Sequence, residues 1–207
     1  EGEEGCIDAG EIAALVEECE DVDSLTIGPG MRHGPALATL IETLLDRGGR
    51  HSLVLDAAAL GVLPPLAEKL RGSGVGAILL PHAGEMALLL ECERDVVTAD
   101  PLAAAREAAA RYGAVALVKG HWSFIAAPDG RSCGFRGGGV GLATSGSGDT
   151  LTGSVGGLAA RGADPLTATL WGVYLHGEAG RRLTQEVGKV GFLAREIPGE
   201  VPALLAS

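Results

Sequence analysis

The chain is poor in the residues that several function classes need. Aromatic residues make up only 3% of its 207 positions, too few for the stacking platforms that hold single-stranded nucleic acid. Positive charge is outnumbered, with 16 Lys and Arg against 27 Asp and Glu. The resulting net charge of −11 argues against nonspecific binding to nucleic acid or to an anionic membrane surface. Long apolar runs are missing: Ala77 to Leu80 and Met86 to Leu90 are far too short to span a bilayer. The four cysteines (Cys6, Cys19, Cys92, Cys133) form no C-x-x-C pair, so neither a zinc site nor a redox motif is indicated. Unpatterned cysteines without a basic-then-apolar leader suit a reducing, cytoplasmic setting.

What is present is a 46% hydrophobic, glycine-rich chain whose length fits one domain over residues 1–207. Short apolar strands are expected at Ser24–Ile27, Ser52–Leu55, Ala77–Leu80 and Val115–Val118. Helical segments separate them at Glu11–Glu18, Pro35–Leu45, Pro65–Leu70, Glu85–Leu90 and Pro101–Tyr112. Ser123–Ala126 and Ser132–Phe135 flank Pro128-Asp129-Gly130, a hairpin pattern. Helices over Leu151–Ala160 and Leu166–Gln185, and a short one from about Leu193, close the chain. Strands without alternation, separated by helices, predict a mainly parallel sheet covered on both faces. Ligands of such sheets bind beyond the carboxyl ends of the strands, so the loops after Ile27, Leu55, Leu80 and Val118 are expected to converge.

The stretch Thr144-Ser145-Gly146-Ser147-Gly148-Asp149-Thr150 carries the chemistry. Small residues let backbone N–H groups close on an anion, and a helix that starts there adds its own free N–H groups and dipole. An aspartate in a phosphate cradle repels the ligand, unless its work is to take a proton from a hydroxyl attacking that phosphate. The alternative is plain helix capping, for which Gly-Ser-Gly-Asp is well suited. His82 and Glu85 are likewise open between a capping pair and half a metal site, and Lys119 between a solvated strand end and a phosphate partner. His176 and Glu178 read as structural or interfacial, and Asp56 as a helix cap. No G-x-G-x-x-G follows a strand, no G-x-x-x-x-G-K occurs and no G-x-S-x-G elbow precedes a helix in the right context, which disfavours dinucleotide dehydrogenases, P-loop enzymes and α/β-hydrolases.

The ordered set IGPGM (27–31), VLDA (54–57), LPHAGEM (80–86), LVKG (117–120), GLATSGSGDTLTG (141–153) and GVYLHGEAG (172–180) resembles the ribokinase-like NAD(P)H-hydrate dehydratases, from about Leu25 onward. The resemblance implies a three-layer α/β/α fold. It also implies ADP- or ATP-dependent dehydration of the S epimer of hydrated NADH or NADPH, by phosphorylation of the hydrate hydroxyl and loss of phosphate. On it, Asp149 is the base and contacts substrate, and Gly146, Ser147 and Gly148 supply backbone donors to the transferring phosphate. Lys119, Gly120, His121, Trp122 and Ser123 form the nucleotide-side loop, Gly30 and His82 lie near the hydrated nicotinamide, and Asp56 gains a place at the edge of the site. Mg²⁺ is expected with the phosphates, without an assigned protein ligand. A homo-oligomer and an NAD(P)H-hydrate epimerase are the implied partners.

Departures from the family pattern are Arg32 in place of the last glycine of Gly-Pro-Gly-x-Gly, Ala58 in place of an acid, and Gly139-Val140 in place of Asn-Pro. The family also has a further stretch upstream, so the chain reads as a fragment or an N-terminally shortened member. Two alternatives stay open: an impaired nucleotide-binding relative, and a small-molecule hydroxyl kinase of the same fold, such as a hydroxyethylthiazole-type kinase.

Overall fold

The computed structural model describes residues 7–49 and 51–206. Cys6, one of the four cysteines considered above, lies outside them. Six strands form one sheet in the order β1-β2-β3-β4-β5-β6. They are β1 (Ser24–Ile27), β2 (Ser52–Leu55), β3 (Gly76–Leu79), β4 (Val115–Val118), β5 (Ser123–Ala126) and β6 (Ser132–Phe135). The first four are parallel, in register from Ser24 beside Ser52 to Leu79 beside Ala116. The hairpin then adds β5 and β6 antiparallel, so the sheet is mixed.

Sequential parallel order has a consequence for layering. Right-handed crossovers that always step the same way put every connecting helix on one face. The helices involved are α2 (Pro35–Arg47), α3 (Ala67–Gly72), α4 (Ala83–Leu90), α5 (Arg94–Ala99) and α6 (Pro101–Tyr112). They share a core with α1 (Ile12–Glu18) and with Leu53, Leu55, Leu79 and Val118 of the sheet. The alternate strand residues Val54, Ile78, Leu80 and Leu117 point the other way. That face is covered by α7 (Ser147–Ala160) and α8 (Pro165–Glu186), with α9 (Ile197–Leu205) packed on α8. Each fully buried Leu or Ile on these faces stabilises the fold by roughly 1.5–3 kcal/mol before entropy is subtracted.

Local chemistry sets the element ends. Asp100 caps α6 by accepting from the Ala103 N–H at 2.9 Å, Pro101 starts it, and Gly113 at φ 63 stops it. Asp164 caps α8 in the same way, accepting from the Leu166 and Thr167 amides. Helix α7 begins four residues earlier than the apolar pattern suggests, because Gly146 adopts φ 84 as its N-cap and the turn continues directly into Ser147. Helix α5 has no counterpart in the sequence reading: only Val97 of its six residues is buried, so it carries no periodicity. A 3₁₀ turn over Ala57–Val62 likewise follows β2, opened by the Asp56 side chain. Among the described residues no helix is long and apolar enough to cross a membrane.

Candidate active site

The backbone ladder continues past the strands at their carboxyl ends. The Asp56 N–H donates to Ile27 O (3.1 Å), Leu80 N–H to Leu55 O (3.0 Å) and Lys119 N–H to Pro81 O (2.8 Å). The four loops expected to converge are therefore knitted together, and His82 and Lys119 face one another as an isolated parallel bridge. Gly28 packs directly on this seam. A Cβ there would fall 1.7 Å from the Asp56 carbonyl oxygen, and the residue sits at φ 119, so only glycine fits.

Asp56 lies buried beneath these loops. It is 2% exposed, and its carboxylate accepts from Lys119 Nζ (2.7 and 2.9 Å), Thr152 Oγ1 (2.5 Å) and the Ala57 N–H (2.8 Å). A buried carboxylate needs this many donors to offset its lost hydration. The result ties β2, β4 and α7 to one side chain. Lys119 is thus paired rather than free, and its ammonium lies 3.7 Å from where a Cβ on Gly148 would stand. The positive group and the first turn of α7 are neighbours.

The α7 N-terminus is open toward ligand. No side chain caps it. The Ser147 N–H donates to Thr144 O at 3.2 Å, which leaves the Gly148 and Asp149 N–H groups of the first turn without a cap. From α8, His176 reaches Ser147: its Nε2 lies 3.0 Å from the carbonyl oxygen and 3.1 Å from Oγ. Burial, with Lys119's charge adding to it against the bond to Ser147, pushes the imidazole pKa down to about 4, so His176 is neutral near pH 7.

His82 is settled as a cap. Its Nδ1 accepts from the Gly84 and Glu85 N–H groups at 3.0 and 3.1 Å, and Glu85 Oε2 accepts from the His82 N–H at 2.8 Å. The 3.6 Å approach of Nδ1 to Glu85 Oε2 belongs to the same capping box. The described residues contain no group of three His, Cys, Asp or Glu that could hold a metal.

His82, Lys119, the first turn of α7 and His176 border one cleft of about 680 Å³, within the range of small-molecule sites. Of the residues singled out from the sequence, His82, Lys119, Gly120, His121, Ser123, Ser147 and Gly148 line it. Gly30, Trp122, Gly146 and Asp149 do not. Asp149 is exposed on the first turn of α7, Gly30 is exposed in the turn after β1, and Trp122 stacks on Phe124 at 6.2 Å beneath the Arg136 guanidinium. Gly139 and Val140, one of the departures, also line the cleft, whereas Arg32 is exposed and Ala58 half-buried outside it. Sequence reading missed His176 and Thr152 as members of this constellation. Their partners are 29 and 96 residues away, and no local pattern signals that.

A mainly parallel sheet with an uncapped helix N-terminus over its carboxyl edge defines an α/β protein of ribokinase-like fold. Residues 6–202 match the family described as NAD(P)H-hydrate dehydratase, and the chain belongs to that family. It is 49% identical over 183 residues to an ADP-dependent (S)-NAD(P)H-hydrate dehydratase of Xanthomonas campestris, covering 88% of this chain and 61% of the relative. A bifunctional NAD(P)H-hydrate repair enzyme of Moorella thermoacetica is 37% identical, over 97% of this chain and 38% of the relative. The chain thus spans about three fifths of the one and under two fifths of the other. A Bacillus subtilis structure described as an ADP/ATP-dependent NAD(P)H-hydrate dehydratase, co-crystallised with ATP and Mg²⁺, superposes with a TM-score of 0.80 at 28% identity, covering 92% of this chain and 69% of that one. A hydroxyethylthiazole kinase from Pyrococcus horikoshii shares the fold at a TM-score of 0.71 and 18% identity, over 93% of this chain and 74% of that one.

Proposed function

We propose that the protein dehydrates the S epimer of hydrated NADH or NADPH at the expense of ADP or ATP. The observation that carries this reading is the juxtaposition of Lys119 with the uncapped first turn of α7 at one end of the 680 Å³ cleft. That turn offers the Gly148 and Asp149 N–H groups to an anion, and the nearby ammonium favours the same charge. The loop Lys119–Ser123 takes the rest of the nucleotide, and Gly30 and His82 take the hydrated nicotinamide.

Hydroxide is a poor leaving group, so the hydroxyl must first be converted. Asp149 removes its proton, the oxygen attacks the terminal phosphorus, and the bond to the departing AMP (from ADP) or ADP (from ATP) breaks. Phosphate then leaves from carbon, pushed by the ring nitrogen lone pair. Loss of a proton from the adjacent carbon re-forms the double bond, giving NAD(P)H, phosphate and the shortened nucleotide. Donors at the Gly148 amide act on charge that develops only in flight. Mg²⁺ would accompany the nucleotide phosphates.

The same reading takes the protein to be cytoplasmic, in keeping with its free thiols Cys19, Cys92 and Cys133. It also takes it to be a homo-oligomer that works beside an NAD(P)H-hydrate epimerase. The test is to incubate the protein with hydrated NADH, Mg²⁺ and either ADP or ATP, and follow recovery of dihydronicotinamide absorbance, with Asp149→Asn in parallel. Recovery with one nucleotide, lost in the variant, names the activity and its phosphate donor. No recovery from folded protein would overturn it.

A further inference from the structure

Ser147 is the first residue of α7, and its N–H is already directed to Thr144 O. Its hydroxyl remains. His176 Nε2 lies 3.0 Å from the Ser147 carbonyl oxygen, and a carbonyl can only accept. Nε2 must therefore carry the proton, because a bare Nε2 would set two lone pairs against each other. That single N–H faces Ser147 Oγ as well, at 3.1 Å. Oγ is then an acceptor toward His176, and its own proton is not consumed there. Ser147 is 6% exposed and lines the cleft together with Gly148 and His176. Among the described residues its hydroxyl has no other partner.

We propose that the Ser147 hydroxyl is a side-chain donor to the transferring phosphoryl group, and that His176 is the positioning residue that turns its proton into the cleft. This rests on the phosphoryl-transfer reading of the cleft. It adds a third donor to the Gly148 and Asp149 amides, and it gives the histidine on α8 a task that its place on a helix wall does not reveal. Burial keeps the ring neutral, so the arrangement persists at physiological pH.

Two measurements test it. Ring ¹⁵N shifts of His176 in the intact protein report the tautomer without any turnover. Nε2–H with bare Nδ1 is expected, and an Nδ1–H tautomer overturns the proposal. Steady-state dehydration then separates the roles. Ser147→Ala lowers kcat roughly 10²-fold with nucleotide KM little changed, as for a donor used only in the transition state. His176→Leu falls similarly, and His176→Gln, which restores an N–H donor, recovers most of the loss. The double variant Ser147→Ala/His176→Leu falls no further than the worse single, because His176 acts through the hydroxyl. Additive losses, or a Ser147→Ala enzyme with wild-type kcat, would overturn the assignment. Should His176→Leu fail to fold, Ser147→Ala and His176→Gln still decide it. A wild-type protein that restores no NADH, yet shows the Nε2–H tautomer, would refute the dehydratase reading and the donor role while leaving the ring geometry standing.

Discussion

Removing Lys119 strands a charge. Its ammonium supplies two of the four hydrogen bonds to the Asp56 carboxylate, the others coming from Thr152 and Ala57. Breaking a buried pair from one side costs about 3–5 kcal/mol, because the remaining charge is neither hydrated nor matched. With the Lys119 side chain 19% exposed and two donors left on Asp56, the lower figure applies, so Lys119→Met is expected to cost about 3 kcal/mol. For a chain of this size that is a fall of roughly 6–12 °C in Tm. Asp56→Asn costs less, since the partly exposed lysine can turn to water while the amide oxygen still accepts from Thr152. The double variant Asp56→Asn/Lys119→Met recovers to within about 1 kcal/mol of wild type, as neutral replacement of a buried pair commonly does. Urea unfolding of the four proteins gives the coupling energy directly. Additivity within about 0.5 kcal/mol would refute the reasoning and leave Lys119 as a surface cation that happens to lie near Asp56.

Other consequences are open to measurement. Gly28→Ala forces a methyl onto the Asp56 carbonyl oxygen, 1.7 Å from its ideal position, and is expected to abolish soluble folded protein, scored by expression and far-UV dichroism. Tyr112 is fully buried and its hydroxyl donates to Leu89 O at 2.8 Å, so Tyr112→Phe should cost about 1 kcal/mol in chemical unfolding. The folded His176 pKa of about 4 lies below the unfolded value near 6.5. Between these pH values the unfolded chain binds the extra proton. Stability is therefore full above about pH 6.5 and declines on acidification toward pH 4, by up to about 3 kcal/mol from this group. His51, also pushed down by burial, acts in the same direction, so the difference between wild type and His176→Gln isolates the contribution; parallel pH–stability curves would contradict it.

Much of the scaffold was legible because its signals are local. The apolar quartets at Ser52 and Val115 read as strands, since a sheet covered on both faces buries both alternations. The ends of α6 follow from Asp100-Pro101 and Gly113 alone. Convergence of the four loops followed from the parallel sheet. The site itself was half legible. Glycines and an acid at 146–149 announce an anion-binding turn, but they do not say which N–H groups are left over once Thr144 has taken one. Nor, the family resemblance aside, could Asp56 be separated from an ordinary cap: its burial depends on Lys119 and Thr152, 63 and 96 residues downstream. His176 failed for the same reason, since on its own helix it looks like one more wall residue.

The two-faced layering has a temporal consequence. Asp56, His82 and Lys119 belong to the part of the chain that winds β1 to β4 with its helices on one face, whereas Ser147, Thr152 and His176 belong to the pair of helices laid over the other. As the polypeptide emerges in order, the sheet and its first layer can dock before α7 and α8 exist. Until those arrive, Asp56 lacks the Thr152 hydroxyl and Lys119 faces no helix end. The cradle is therefore a late product of maturation, complete only in chains that have closed their second layer.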